Sequence, residues 1–134
     1  MKFIRIREAS TLPCASPKEI YESMQDEAVI DRECMWVLHL NTKLLLIEKE
    51  LVSMGILDQS MVHPREVFKR AIVNSASSII TVHNHPSGSL IPSKEDKIAW
   101  KQLRDAGEIL KIPVLDNLII SSDGFYSETE RGRL

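Results

Sequence analysis

Cysteine is nearly absent from this chain: Cys14 and Cys34 are its only two, and they lack metal-ligand spacing. That excludes a disulfide framework and leaves two free thiols as the expectation. A surplus of one charge sign is missing too. Seventeen Lys and Arg against nineteen Asp and Glu leave a formal charge of −2, whereas nucleic-acid binding leans on clustered cations that neutralise phosphates. DNA is therefore a disfavoured partner. Arg65, Lys69 and Arg70 form a local basic strip, but beside Val67, Phe68, Ala71 and Ile72 they read as the solvated face of a helix. No apolar run approaches the roughly 20 residues that span a bilayer, and Met1–Arg7 lacks the apolar core of a signal peptide. No membrane partner is expected, and the expected setting is cytoplasmic. Repeats and low-complexity runs are also lacking.

What is present suits one compact domain over residues 1–134: hydrophobic residues make up 43% and charged residues 27%, within the soluble globular range. Lys2–Arg7 alternates basic and apolar residues, as a short edge strand does. Ser16-Pro17-Lys18-Glu19 is a helix start, with Ser at the N-cap and Pro first inside, and predicts a helix to about Ala28. Cys34–Leu40 and Leu44–Met54 read as a hairpin joined at Asn41-Thr42-Lys43, forming the centre of a sheet. After an irregular stretch from Gly55 to Val62, Pro64 starts a helix to about Asn74 with an apolar face of Val67, Phe68, Ala71 and Ile72. Ser78–His83 is a β-branched strand. Ser93 opens a long helix to about Leu110 that buries Ala99, Leu103, Ala106 and Leu110, and Pro113–Ser121 is a last central strand before the turn at Asp123-Gly124. Helices interspersed with hairpin-linked strands indicate a mixed α/β sandwich. Trp36 and Trp100 read as core or sheet-covering residues rather than a ligand platform.

The chemistry concentrates in His83-Asn84-His85-Pro86-Ser87-Gly88 and Pro92-Ser93-Lys94-Glu95-Asp96. His83 and His85 sit two apart at a strand end and so point to the same side. Pro86, Gly88 and Pro92 write a turn-rich loop that can fold Asp96, in the first turn of the next helix, back onto the imidazoles. Two His and one Asp match a catalytic zinc site, which keeps three protein ligands and a fourth position for water. A water so bound has its pKa lowered from about 15.7 to roughly 7. The plainer reading of Ser93 and Asp96 is a capped helix N-terminus, and on that reading one carboxylate does not fully serve both as ligand and as cap. His39, inside an apolar strand, and His63, before Pro64, read as packing or surface histidines.

The pattern H-x-H, seven residues, S-x-x-D matches the JAMM motif. With Val62-His63-Pro64-Arg65-Glu66-Val67 and Asp123-Gly124-Phe125-Tyr126-Ser127, it resembles the RadC family of the JAB/MPN metalloprotease superfamily from about Glu33 onward. The resemblance implies a JAB/MPN-like, cytidine-deaminase-like sandwich and a hydrolase acting on peptide or isopeptide bonds through zinc held by His83, His85 and Asp96. It further implies Glu33, at the start of the central strand, as general base, with Glu48 and Glu50 as weaker candidates whose carboxylates could face solvent. Ser93 is implied as donor to the oxyanion. Deubiquitinating members carry Ser or Thr where this chain has Asn84, which weakens transfer of ubiquitin-type substrates. The helical DNA-binding-like segment that precedes this module in longer members is not expected here.

Rival readings remain. The domain could be a non-catalytic interaction module of DNA repair or mobile elements with a structural metal, or a metal-dependent nuclease. The adjacent letters His-Asn-His are not the dispersed residues of an HNH endonuclease. Zinc deaminases need H-x-E with P-C-x-x-C, which this chain lacks.

Overall fold

The computed structural model describes residues 3–5, 16–55 and 62–132. Among these residues six strands form one sheet in the order β1-β3-β2-β4-β5-β6: β1 is Phe3–Arg5, β2 Glu33–Leu40, β3 Leu46–Gly55, β4 Ser78–Asn84, β5 Val114–Ser121 and β6 Gly124–Ser127. Every neighbouring pair is antiparallel except β4 and β5. Their parallel pairing requires a crossover, which the long helix α4 (Lys94–Leu110) supplies. The other helices are α1 (Pro17–Ser23), α2 (Gln25–Ala28), α3 (Pro64–Val73) and α5 (Glu128–Arg131).

The side chains of β2 alternate between two cores. Cys34, Trp36, Leu38 and Leu40 face Ile20, Met24 and Ala28 from the α1–α2 side, while Met35 and Val37 face Val67, Phe68 and Ala71 of α3 and Leu103 of α4. The sheet is thus covered on both sides, an α/β sandwich. Full burial of a side chain such as Phe68 stabilises by roughly 1.5–3 kcal/mol. β4 is buried along its whole length, which explains its run of β-branched residues. Trp36 and Trp100 lie in the interior.

Several boundaries differ from the local reading. The first helix breaks at Met24, whose φ of −116° and ψ of 31° end α1 before α2 begins. β3 starts at Leu46 rather than Leu44, because Leu44 adopts a φ of +61° in the turn. β3 lies second from the edge, covered by β1, so only β2 of that hairpin is central. Ile72 and Leu110, expected inside, are 54% and 43% exposed, because α3 and α4 pack through Val67, Phe68, Ala71 and Leu103 instead. α5 has no signal in apolar periodicity; it is one turn, capped by the Ser127 hydroxyl accepting from Glu130 N–H. Cys14 and most of the irregular stretch after Gly55 lie outside the described residues.

Candidate metal centre

β4 is paired on both sides, with Met35 opposite His83 on β2 and Ile119 beside it on β5. The pairing continues one residue past the strand, where His85 N–H donates to Ile120 O at 3.0 Å. That keeps His85 in strand alternation, so both imidazoles emerge on the α3–α4 face of the sheet. Nδ1 of His85 lies 2.8 Å from Ser89 O. A carbonyl only accepts, so Nδ1 carries the hydrogen and Nε2 presents its lone pair. The Nε2 atoms of His83 and His85 are 3.0 Å apart.

The intervening loop is anchored at its turn. Gly88 takes a φ of +89°, a conformation that disfavours a side chain, and a Cβ there would meet Asp123 Oδ2 at 3.4 Å. The loop delivers Ser93 as N-cap of α4, and a complete capping box forms: Ser93 Oγ accepts from Asp96 N–H at 3.0 Å, and Asp96 Oδ2 accepts from Ser93 N–H at 2.8 Å. Asp96 nevertheless also faces the histidines, with Oδ1 3.7 Å from His83 Nε2 and Oδ2 3.9 Å from His85 Nε2. The cap bond and the position facing the histidines are thus compatible in one carboxylate. A carboxylate has two oxygens and about four lone-pair directions, so the cap bond orients the group without exhausting it. Burial pushes the Asp96 carboxyl upward, but the facing His83 imidazole and the two bonds from Ser93 outweigh it and hold the group below its ordinary value.

His83, His85 and Asp96 each offer a ligand atom, and these lie within 4.8 Å of one another, so the three could hold a metal ion. Behind them Trp100 of α4 packs on His83, ring centroids 6.1 Å apart, and stacks on Tyr126 at 6.1 Å. This aromatic wall keeps bulk water off the buried side of His83. Farther back, Thr81 bonds Asn117, Asn117 Nδ2 donates to Glu128 at 3.0 Å, and Arg104 of α4 pairs with Glu128. The network ties α4, and with it Asp96, to the sheet.

Glu33 begins β2, half-buried. The β2–β4 register, with Met35 opposite His83, and strand alternation put Glu33 on the same face as His83, one pleat nearer the end from which His85 emerges. Glu48 and Glu50 do not face solvent: they are 0% and 5% exposed. Glu48 is bonded by Arg70 and by Asn74 Nδ2 at 3.1 Å, and Glu50 faces His39 Nε2 at 3.4 Å. They stand opposite His39 and Val37, farther along β2 than the residue beside His83. Arg70, expected on a solvated face, is half-buried in this cluster. His39 is buried there and His63 is exposed at the start of α3, so neither joins the metal cluster. Burial raises the Cys34 thiol above its ordinary value, Arg32 opposing, which suits an inert core residue.

Asn84 was not read from the sequence as a working residue, only as a departure between the two histidines. Its carboxamide makes three buried or half-buried hydrogen bonds around Glu33. Trp100 was read as core, which it is, without its contact to His83.

Fold and site together define a sandwich domain in which two histidines and one aspartate, a set that could hold a metal ion, meet at the end of a central strand. The chain belongs to the RadC-like JAB domain family, which matches residues 14–133. It is 41% identical over 130 residues to a UPF0758 protein of Thermotoga maritima, covering 96% of this chain and 59% of that protein. It is 50% identical over 109 residues to one of Desulforamulus reducens, covering 81% and 48%. A UPF0758 protein of Finegoldia magna is 55% identical over 97 residues, covering 72% and 44%. The chain spans about half the length of the curated relatives it matches. Among the described residues no helix is long and apolar enough to cross a membrane.

Proposed function

We propose that this domain is a zinc-dependent hydrolase of amide bonds, peptide or isopeptide. The observation that carries the reading is the convergence of His83 Nε2, His85 Nε2 and an Asp96 carboxylate oxygen on the sheet face to which strand alternation assigns Glu33. Ligands at 2.0–2.2 Å on a tetrahedral zinc lie about 3.3 Å from one another; here the two Nε2 atoms stand 3.0 Å apart, Asp96 Oδ1 lies 3.7 Å from His83 and Oδ2 3.9 Å from His85, and one atom from each residue falls within 4.8 Å of the others. Imidazole with carboxylate is a donor set that suits zinc. A bound zinc ion supplies Lewis acidity at this point, polarising a carbonyl and making water acidic near neutral pH.

The rest falls to side chains of this chain. Glu33 takes a proton from water at its carboxylate and returns it to the leaving amine, a contribution of about 10²–10⁴-fold. Ser93 Oγ accepts from Asp96 N–H and keeps a hydroxyl hydrogen that can rotate to donate to the oxyanion of the scissile carbonyl. Trp100 excludes water behind His83. Asp96, oriented by the cap, cannot rotate away without breaking its bond to Ser93 N–H.

Elemental analysis of chelator-free protein, followed by a screen of peptide and isopeptide substrates, tests this. Wild type should carry about one zinc per chain, Glu33→Gln should keep the zinc while cleavage falls about 10²–10⁴-fold, and His83→Ala should lose both. Equal zinc loss in Glu33→Gln and His83→Ala would make Glu33 structural. Salt-dependent DNA binding by wild type, without peptide cleavage, would replace this reading with the nuclease one.

A further inference from the structure

Asn84 lies between the two histidines, fully buried, and strand alternation turns it to the opposite face of the sheet from their imidazoles. There its carboxamide reaches back 50 to 54 residues. Oδ1 accepts from Cys34 N–H at 2.6 Å, and Nδ2 donates to Arg32 O at 2.8 Å and Ile30 O at 3.1 Å. A backbone N–H can only donate and backbone carbonyls only accept, so the three partners fix which end of the amide points where. Both amide hydrogens and the amide oxygen are used.

The two nearer partners flank Glu33. Arg32 O belongs to the peptide plane entering the Glu33 Cα, and Cys34 N to the plane leaving it. Those planes are the two that meet at that Cα, and holding both sets the direction of its Cα–Cβ bond. Resting on the reading of Glu33 as general base, we propose that Asn84 is a positioning residue that locks the Glu33 carboxylate in register with the metal centre. One strand end then presents the ligands on one face and, through its other face, grips the backbone that carries the base. Movement of β4 carries ligands and base together, so their spacing is preserved.

The chemistry of the side chain explains why Asn stands here. The task needs two donors and one acceptor on one planar group. Asp offers acceptors alone, and a Ser or Thr hydroxyl has a single hydrogen to donate. Outer-shell partners of metal sites typically change affinity or activity by about 10–100-fold when removed.

The test uses Asn84→Asp, nearly isosteric and able to keep only the Cys34 bond, and Asn84→Ser, which avoids a buried charge and serves if the first does not fold. Three readouts are taken: amide hydrogen exchange at Cys34, the visible spectrum of cobalt(II)-loaded protein, and kcat and KM on a cleaved peptide. The expected result is faster Cys34 exchange, a full metal complement, and the same change in the cobalt bands that Glu33→Gln produces. kcat should fall about 10–100-fold at unchanged KM, with no further loss when Glu33→Gln is added. Cys34 exchange that quickens while the cobalt bands and kcat stay at wild-type values would overturn the proposal, as would losses that add to those of Glu33→Gln. A Glu33→Gln variant with wild-type bands and cleavage would instead overturn the general-base reading, and the positioning role with it.

Discussion

Nδ1 of His85 is committed to the carbonyl of Ser89 at 2.8 Å, and its Nε2 stands 3.0 Å from Nε2 of His83. The loop backbone thus selects the tautomer whose lone pair faces the ligand cluster, before any ion arrives. A metal bound here stabilises the folded state that presents the site, because the unfolded chain does not gather these three groups. Exhaustive chelation should lower the midpoint of thermal unfolding, and restoring free zinc to 100 times its Kd should regain about 2.7 kcal/mol. Calorimetry with and without chelator measures this; an unchanged midpoint would show that no metal couples to folding.

Ser93 caps α4, and the oxyanion duty proposed for it is separable from the cap. Ser93→Ala should lose the N-cap, costing about 1 kcal/mol of stability, and should also lower turnover by about 10²–10³ if the hydroxyl serves the oxyanion. Ser93→Thr keeps a hydroxyl in place and should recover most of both. Denaturant unfolding beside kcat separates the duties: a stability loss with unchanged kcat leaves Ser93 as a cap alone.

Asp96 links stability to pH. Its carboxyl is held below the ordinary value in the folded protein, so between the folded value and the unfolded one, about 3.9, the unfolded chain binds more protons. Stability of the metal-free protein therefore rises with pH through that window. The contribution is complete above the unfolded pKa and lost as pH falls through the folded one. Asp96→Asn, which keeps an oxygen for Ser93 N–H, should flatten this acid limb without removing the cap. Urea midpoints measured from pH 3 to 6 would show it, and parallel limbs for the two proteins would refute it.

Gly107 offers a test of packing. Ala in a helix interior normally gains about 1 kcal/mol over Gly, but a Cβ at Gly107 would sit 2.6 Å from the backbone oxygen of Ile112 and 3.3 Å from Phe68. The carbonyl belongs to the chain reversal that ends α4 at Lys111, in the left-handed region with φ +59°, and cannot step aside alone. Gly107→Ala should therefore destabilise by about 1–3 kcal/mol. Stabilisation by the variant would mean that the α4–β5 turn is slack.

Much of this site was legible because its signals are local. His83 and His85 at a strand end, Ser93 and Asp96 in one helical turn, and Ser16-Pro17 at a helix start are patterns of at most four residues, governed by strand alternation and capping. The apolar faces of α3 and α4 were visible in outline but not in extent: Ile72 and Leu110 fit the period yet lie beyond the packed contact. Whether Glu48 and Glu50 face solvent stays open in the sequence, because nothing near them reveals Arg70, Asn74 or His39, which lie 11 to 26 residues away.

The sequence by itself determined the class of sandwich, from the order of its elements, and the strand that carries the histidines and the three residues that form the His-His-Asp cluster, from spacing within one element or across one short loop. Only the tertiary structure decided how Asp96 caps α4 while facing both histidines, which carboxylates are buried, and that Asn84 grips the backbone on both sides of Glu33. Those depend on distances between groups tens of residues apart, and such distances exist only once the sheet has set β2 beside β4 and α4 has crossed back over them.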